Sequence, residues 1–482
     1  MEYTLFPGFC LGKLQEVAGI LEGPLEIAAT ILQNPQFSEI KASIENDQKT
    51  KSLERAQKRG LEFRNGKTKS HMKPELIVAF FIARNFYNDC YGSRGYQLMC
   101  ENSSLQKFIA KMGLVSFPKK NTIHDQISLL SEKSLFLFNK AILSCVQQEE
   151  LDDFSALIID STAVEADSSW PVDSEILKKL CSKFMKYVEE LHEGLPSLVK
   201  RKIPIQRLQN YCRNLAELDF EISYLKGKKG AKSMRKTLYI YEVIARSRKF
   251  IERFEVILKR IKQLPQSFSR IDAIKETAAR FLDKLLMIEH RFGVAPQDYD
   301  DKTARKIYSL SDDDASFIKK GGRETVFGYR PSFSCSAMGF ISSFTLEAGN
   351  TNDSKAFSKC LEANKKATGV YPSMISVDDG YSSIKNLDFA IEQEASVISI
   401  SGSKGKKVLG AELYDSQQYK LARNIRSISE GTISKLKNYH GLKRFRVCGL
   451  TRVRQETFIA VIGFNLERLC QLLSQNTLKV AV

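Results

Sequence analysis

Three carboxylates stand in surroundings that ordinary solvated acids do not share. Asp160 lies within Ala156-Leu-Ile-Ile-Asp160-Ser-Thr-Ala-Val-Glu165, an apolar, β-branched run that reads as a buried strand. An ionised carboxylate there is costly unless it is paired or bound to a metal. Asp378 follows Met374-Ile-Ser-Val377, a short buried strand, and Glu430 falls on a helix around Ser427 to His440. Strand ends in open α/β sheets are where ligands bind. Convergent carboxylates supply the hard oxygen ligands that two Mg²⁺ ions about 4 Å apart need, with room left for phosphate. One metal would activate the attacking oxygen and the other stabilise the leaving oxygen of an in-line phosphoryl transfer.

Arg426, Glu430, Ser434 and Lys437 follow one another at intervals of four, four and three, which puts them along one helical face. That face is either one acid among phosphate ligands or an ordinary exposed face with i, i+4 ion pairs, and spacing alone does not choose. Asp379 is an alternative to Asp378. Glu165 and Asp167 follow Asp160 on what reads as the same strand and face solvent on the bland reading; Asp173 reads as a helix cap.

The elements that position these residues come in a recognisable order. Residues 1–72 read as a weakly structured lead-in with a charged stretch from Lys49 to Lys69, and residues 73–150 as a small helical domain. Within the latter, Ser104 to Met112, a turn at Gly113 and a helix capped by Asn121 form either a DNA-reading helix-turn-helix, with Thr122, His124 and Gln126 exposed, or a plain helical bundle. Residues 151–172 and 325–482 read as a catalytic domain, interrupted by a helical insertion at 173–324. The insertion's clearest helices run from Thr237 to Leu264, stopped by Pro265, and from Ser269 to Phe292, ended by Gly293. A hairpin over Phe333–Met338 and Phe340–Leu346 and a helix over Asp353–Lys366 follow. After the Asp378 strand come a helix at Ser382–Glu394, a strand at Ser396–Ser401 and the Glu430 helix. Strand, helical insertion, hairpin, helix, strand, helix, strand, helix is an interrupted RNase H-like order. The expected class is α/β, a mixed sheet flanked by helices, with an α-helical N-terminal domain.

With 482 residues, 43% of them hydrophobic, the chain is long enough for two to four domains. Its formal charge of +17 favours a polyanionic partner, nucleic acid first. Lys226-Gly-Lys228-Lys229-Gly-Ala-Lys232-Ser-Met-Arg235-Lys236 places six cations in eleven residues, as a solvated loop or a phosphate contact. Ten cysteines without a CxxC pair and five scattered histidines encode neither a zinc site nor a disulfide framework, the pattern of a reducing compartment. The most apolar run, Leu76 to Ala83, is too short to span a bilayer, so a cytoplasmic protein is expected. Gly402-Ser403-Lys404-Gly405-Lys406-Lys407 lacks the spacing and final hydroxyl of a phosphate-binding Walker loop and reads as a basic surface loop.

Over about residues 74 to 465 the sequence resembles the DDE transposases of bacterial insertion sequences, in the group with the signature Tyr-x2-Arg-x3-Glu-x6-Lys. Arg426-x3-Glu430-x6-Lys437 carries the signature and runs on into Asn438-Tyr439-His440-Gly441-Leu442. Asp160-Ser161-Thr162 is similar to the family's first acidic motif, with Trp170-Pro171-Val172-Asp173-Ser174 after it. Asp378-Asp379-Gly380-Tyr381 is similar to the second. Phe327-Gly328-Tyr329 and Gly349-Asn350-Thr351-Asn352-Asp353-Ser354 resemble the elements around the hairpin. The resemblance implies an RNase H-like fold with Asp160, Asp378 and Glu430 as catalytic, metal-binding residues. It also implies two Mg²⁺ or Mn²⁺ ions, cleavage at terminal inverted repeats of double-stranded DNA, strand transfer into target DNA, and a homodimer or larger assembly on DNA at the bacterial nucleoid, with no membrane.

Two departures stand out. Arg423 occupies the signature's tyrosine position, so a phosphate contact is retained while stacking is lost. The helical insertion lies between the first two acids, whereas some family members carry it between the second and third. Arg423, Arg426 and Lys437, with Lys228, Lys229 and Lys232, are the expected DNA ligands. The rival readings are an RNase H-like two-metal nuclease without strand transfer and a transposase-derived DNA-binding protein without catalysis.

Overall fold

The computed structural model describes residues 4–6, 9–10, 21–58, 72–87, 93–168, 172–193, 205–225, 231–261, 271–319 and 324–480. The chain divides into two units, residues 1–167 with 314–482 and residues 168–313.

The first unit opens with α1 (Glu22–Gln33) and α2 (Ser38–Lys58), so residues 22–58 are helical rather than weakly structured. Leu25, Ala28, Ile31 and Leu32 of α1 are buried, and α2 buries Ile40, Ile44 and Gln48 at a strict spacing of four. That stripe is only one residue wide, and the charges around it disguise it in the sequence. Next come α3 (Pro74–Phe86), α4 (Ser93–Glu101), α5 (Ser103–Lys111), α6 (Lys120–Ile127) and α7 (Glu132–Gln148). Between α5 and α6 the chain turns at Gly113 with φ +83°. The cap position of α6 is Lys119, which leaves Asn121 inside the helix. Thr122 is exposed, but His124 and Gln126 are half-buried, with Gln126 accepting from Gln48 Nε2. Residues two apart point to different sides of a helix, so these three do not share a face.

Strand β1 (Ala156–Ser161) and the short β2 (Val164–Glu165) lead to the second unit. There α8 (Asp173–Glu193), α9 (Ile205–Tyr224), α10 (Ala231–Ile261) and α11 (Ile271–Arg291) enclose a core of their own. Phe250 sits at its centre, edge-on to Phe184 at 5.9 Å and to Phe281 at 5.4 Å. Two expectations change here. Cys181 and Cys212 form a disulfide between α8 and α9, a pairing that a separation of 31 residues hides from motif reading. Asp173 is the first residue of α8, and its carboxylate pairs with Lys284, buried to 1% exposure, at 2.6 Å and with Arg291. Gly293 with φ +71° follows α11, while Trp170, Pro171, Lys226, Lys228, Lys229 and Pro265 lie outside the described residues.

The first unit resumes with β3 (Ser316–Ile318), β4 (Val326–Tyr329), the hairpin β5 (Ser332–Ser336) and β6 (Ile341–Thr345), and α12 (Asp353–Thr368). Then follow β7 (Met374–Val377), α13 (Ile384–Glu392), β8 (Val397–Ile400), α14 (Ser403–Leu409), α15 (Ala411–Tyr414), α16 (Gln417–Asn424), α17 (Ser427–Tyr439) and α18 (Leu450–Val480). The Gly402–Lys407 stretch is thus mostly the start of a helix rather than a loop.

The main sheet is mixed, with order β6-β5-β1-β7-β8: β1 runs antiparallel to β5 and parallel to β7, and β8 is parallel to β7. Leu157, Ile158 and Ile159 are all fully buried, as an unbroken apolar run in a central strand requires. Leu157 and Ile159 join a core with Phe357 and Leu361 of α12 and Tyr419 of α16. No α17 side chain enters that core although α17 packs on β1 and β5, so α17 lies over the opposite face. A second sheet, β2-β4-β3, is antiparallel.

Helix α18 joins the N-terminal helices to the sheet. Ile459, Ile462, Leu466 and Leu469 share a core with α1, α3 and α7. Asn465 accepts from Ile341 N (2.9 Å) and donates to Ile341 O (2.8 Å) and Asn139 Oδ1 (2.9 Å), while Asn139 donates to Ser342 O (3.2 Å). The end of α17 is held by His440, only 2% exposed. Asn85 Nδ2 donates to its carbonyl (3.0 Å), Asn85 Oδ1 lies 2.7 Å from its Nδ1, and Glu467 Oε2 lies 3.0 Å from its Nε2, at ion-pair distance but off the hydrogen-bond axis. Burial would raise the Glu467 carboxyl, but the close approach of the His440 ring outweighs it and holds the carboxyl below its ordinary 4.5. No helix among the described residues is long and apolar enough to cross a membrane.

Asn465→Ala orphans two buried backbone groups of β6 and is expected to cost about 1–3 kcal/mol for each group left unpaired, read by urea unfolding. The Glu467 contribution is present above pH 4.5 and is lost as pH falls through the lower folded-state value. Glu467→Gln should therefore flatten the loss of stability below pH 4.5; an unchanged acid limb would count against this anchor.

Candidate active site

The three parallel strands end level with one another. Ile159 pairs with Val377, and Val377 with Ile400, so the next residues, Asp160, Asp378 and Ser401, stand side by side at strand spacings of about 4.8 Å. Asp160 is 7% exposed, and alternation turns its side chain away from Ile159 toward the face covered by α17. Its Oδ1 accepts from Ser161 N at 2.8 Å. The Cys335 thiol, one strand over, is pushed far up by burial first and then by the negative charge of Asp160.

Asp378 and Asp379 have different partners. Asp378 is extended (φ −86°, ψ 175°), and its Oδ1 accepts from Gly380 N at 2.9 Å, closing the single turn that ends in the fully buried Tyr381. Asp379 Oδ1 accepts from Lys404 N (2.9 Å) and Gly405 N (3.0 Å), tying the turn to the start of α14.

Arg330 and Asp353 also belong to this cluster, and sequence reasoning gave them no role. Arg330 donates to Ser161 Oγ (3.3 Å) and Asn350 Oδ1 (3.3 Å) and forms an ion pair with Asp353, which is 5% exposed. The other Asp353 oxygen, Oδ1, is buried without a hydrogen-bond partner. A methyl on Gly380 would meet Asp353 Oδ2 at 2.7 Å and Asp378 Oδ1 at 3.0 Å, so a larger residue has no place between the two acids. Gly328 has a similar reason: a Cβ there would lie 1.9 Å from the Val164 carbonyl of β2. The signal for Arg330 and Asp353 was present in the sequence: Arg330 directly follows Phe327-Gly328-Tyr329, and Asp353 lies within Gly349–Ser354.

Glu430 approaches from α17. It is 67% exposed, with Oε1 3.7 Å from Arg426 Nη2, and Arg426 Nη1 donates to Ser401 Oγ at 3.0 Å. Arg426 therefore links Glu430 to the third position of the strand-end row. Lys437, farther along α17, donates to the Ala163 carbonyl at 2.7 Å and fastens the helix beside β2. Arg423 is exposed on the last turn of α16, and Lys232 is exposed on α10 of the second unit. Glu165 is exposed, and Asp167 Oδ1 lies 3.8 Å from Arg444. Among the described residues, no three His, Cys, Asp or Glu side chains gather closely enough to hold a metal ion. The structure thus brings Asp160 and Asp378 together and leaves Glu430 on Arg426. The strand-end carboxylates are hard oxygen donors, and Asp353 Oδ1 is a buried carboxylate oxygen with no hydrogen-bond donor on it; both fit a hard divalent cation.

Removing Arg330 leaves the Asp353 carboxylate buried and unpaired. Arg330→Met is expected to cost roughly 3–5 kcal/mol, and Arg330→Met with Asp353→Leu clearly less. Chemical denaturation checks this, and equal losses for single and double variants would refute the pairing.

Residues 299–466 match the family model of the transposase DDE domain. That span holds Arg330, Asp353, Asp378, Asp379, Arg426, Glu430 and Lys437 and begins after Asp160. No curated protein and no solved structure matches the chain.

Proposed function

We propose that this chain, whose residues 299–466 match a transposase DDE domain and support a DDE transposase of an insertion sequence, cuts DNA at the element's ends and joins those ends to target DNA. The observation that carries the reading is the strand-end row of Asp160 and Asp378, with Glu430 joined to it through Arg426 and Ser401. The sheet order, a meander of β1, β5 and β6 followed by two strands parallel to β1, supports an RNase H-like core. On this reading residues 151–172 and 325–482 are the catalytic domain, 173–324 a helical insertion and 73–150 a helical DNA-binding domain.

Asp160, Asp378 and Glu430 would hold two Mg²⁺ or Mn²⁺ ions. Such a pair supplies activation of the attacking oxygen and neutralisation of the leaving one. Asp160 and Asp378 are already in register, so the step left to the protein is for Glu430 to exchange Arg426 for the pair. Arg426 stays on Ser401 and presents its guanidinium to a phosphate. Asp378 is favoured over Asp379 because the Asp379 carboxylate serves two backbone amides of α14. Lys437 acts by holding α17 against β2, and the DNA contacts fall to Arg423, Arg426 and the basic helical insertion around Lys232. The partners are double-stranded terminal repeats and target DNA, bound by a dimer or larger assembly at the bacterial nucleoid.

The test is cleavage and strand transfer on DNA carrying the element's ends, with Mg²⁺ or EDTA. Asp160→Ala, Asp378→Ala and Glu430→Ala are each expected to lower the rate on the order of 10³-fold or more with DNA binding intact. Asp379→Asn, whose amide oxygen still accepts from Lys404 and Gly405, should keep most activity. Cutting without joining would replace the reading with a nuclease, and binding without chemistry in the wild type would replace it with a catalytically lapsed DNA-binding protein.

A further inference from the structure

Residues 443–454 contain five cations and no acid: Lys443, Arg444, Arg446, Arg452 and Arg454. The stretch begins just after α17 and is pinned to β2, a few residues beyond Asp160. Glu165 N donates to Lys443 O (3.4 Å) and Phe445 N to Glu165 O (2.8 Å). Phe445 turns inward, 2% exposed and edge-on to Tyr329 at 5.7 Å, while Lys443, Arg444 and Arg446 are exposed on either side of it. Farther along, Arg446 and the exposed Arg452 line one cleft of about 270 Å³ with Arg84, His124 and Glu456. Arg84 holds Glu456 through both carboxylate oxygens at 2.8 Å, and Asp125 also lines the cleft. His124 registers the local field: burial first, then the charges of Arg84 and Lys120, hold its imidazole below the ordinary value.

We propose that Lys443, Arg446 and Arg452 form a track for the phosphate backbone of double-stranded DNA, leading from the Glu430 helix past β2 to α6. The inference rests on the DNA-cutting reading above and adds a binding surface to it. A row of separated cations on a fixed ribbon suits a polyanion with repeating charge, whereas one small anion needs donors converging on a point. The contacts are to phosphate and therefore position the duplex without reading its sequence.

The experiment is a titration of the full chain with duplexes of unrelated sequence, in EDTA, between about 50 and 200 mM salt. Each phosphate contact adds about 0.9 to the slope of log affinity against log salt. Arg446→Ala with Arg452→Ala should lower that slope by about 1.8 and weaken every duplex alike, while the double lysine replacement keeps the slope. Lys443→Ala and Arg452→Ala alone, at exposed positions, should each remove about 0.9 and cover the case of a double variant that folds poorly. An unchanged slope in variants that unfold like the wild type overturns the track. If that wild type still cuts DNA, only the track is lost; a wild type that binds no duplex, or prefers anionic lipid vesicles, overturns the DNA-cutting reading as well.

Discussion

The pairing of β1 with β7 is the constraint on which the rest of the first unit depends. β1 is hydrogen-bonded on both sides, and its apolar residues are fully buried. A slip of one residue would exchange the faces of Ile159 and Asp160, putting a carboxylate into the α12 core and an isoleucine at the site. Burial of Leu157 and Ile159 against α12 therefore fixes the register, and the register sets Asp160 beside Asp378. A carboxylate pair that would repel itself in isolation is held in place by apolar packing one residue away.

The cations around the pair are structural as well as electrostatic. Arg330 ties the residue after Asp160 to the first residue of α12, Arg426 joins α17 to the end of β8, and Lys437 fastens α17 near β2. Each joins separate elements, and Arg330 and Arg426 also pair with the acids Asp353 and Glu430. The forked guanidinium can hold several acceptors at once, which an ammonium does less well. The Asp379 carboxylate does the corresponding work for backbone amides, where four exposed N–H groups open every helix.

The helical layers complete the support. His440 at the end of α17 is gripped by Asn85 of α3 and Glu467 of α18, and Asn465 of α18 is bonded to β6. The bonds of Asn85 and Asn465 pair buried polar groups across these elements, so they specify one seating of α17 where an all-apolar contact would allow several. In the second unit the disulfide and the ion pairs of Asp173, Asp219 and Glu289 add to an apolar core of aromatic rings.

Local pattern made much of this legible. The β-branched runs at Ala156–Ser161 and Met374–Val377, the hairpin after Pro331 and the helix limits near Asp353, Ser427 and Gly293 all depend on neighbours within a few residues, and sequence reasoning found them. The spacing of Arg426, Glu430 and Lys437 on and before α17 was legible for the same reason. Tertiary structure decided what distance along the chain conceals: the Cys181–Cys212 pair, the burial of α1 against α18 and of α2 against α7, the half-burial of His124 and Gln126, and the Arg330–Asp353 pair beside Gly380. It also gave Asp378 and Asp379, two identical side chains, partners on different elements. The sequence determines which segments are strands and helices because φ/ψ preference and burial periodicity are local; which side chains then meet is set by packing and hydrogen bonding between segments as much as hundreds of residues apart, and only the fold supplies those neighbours.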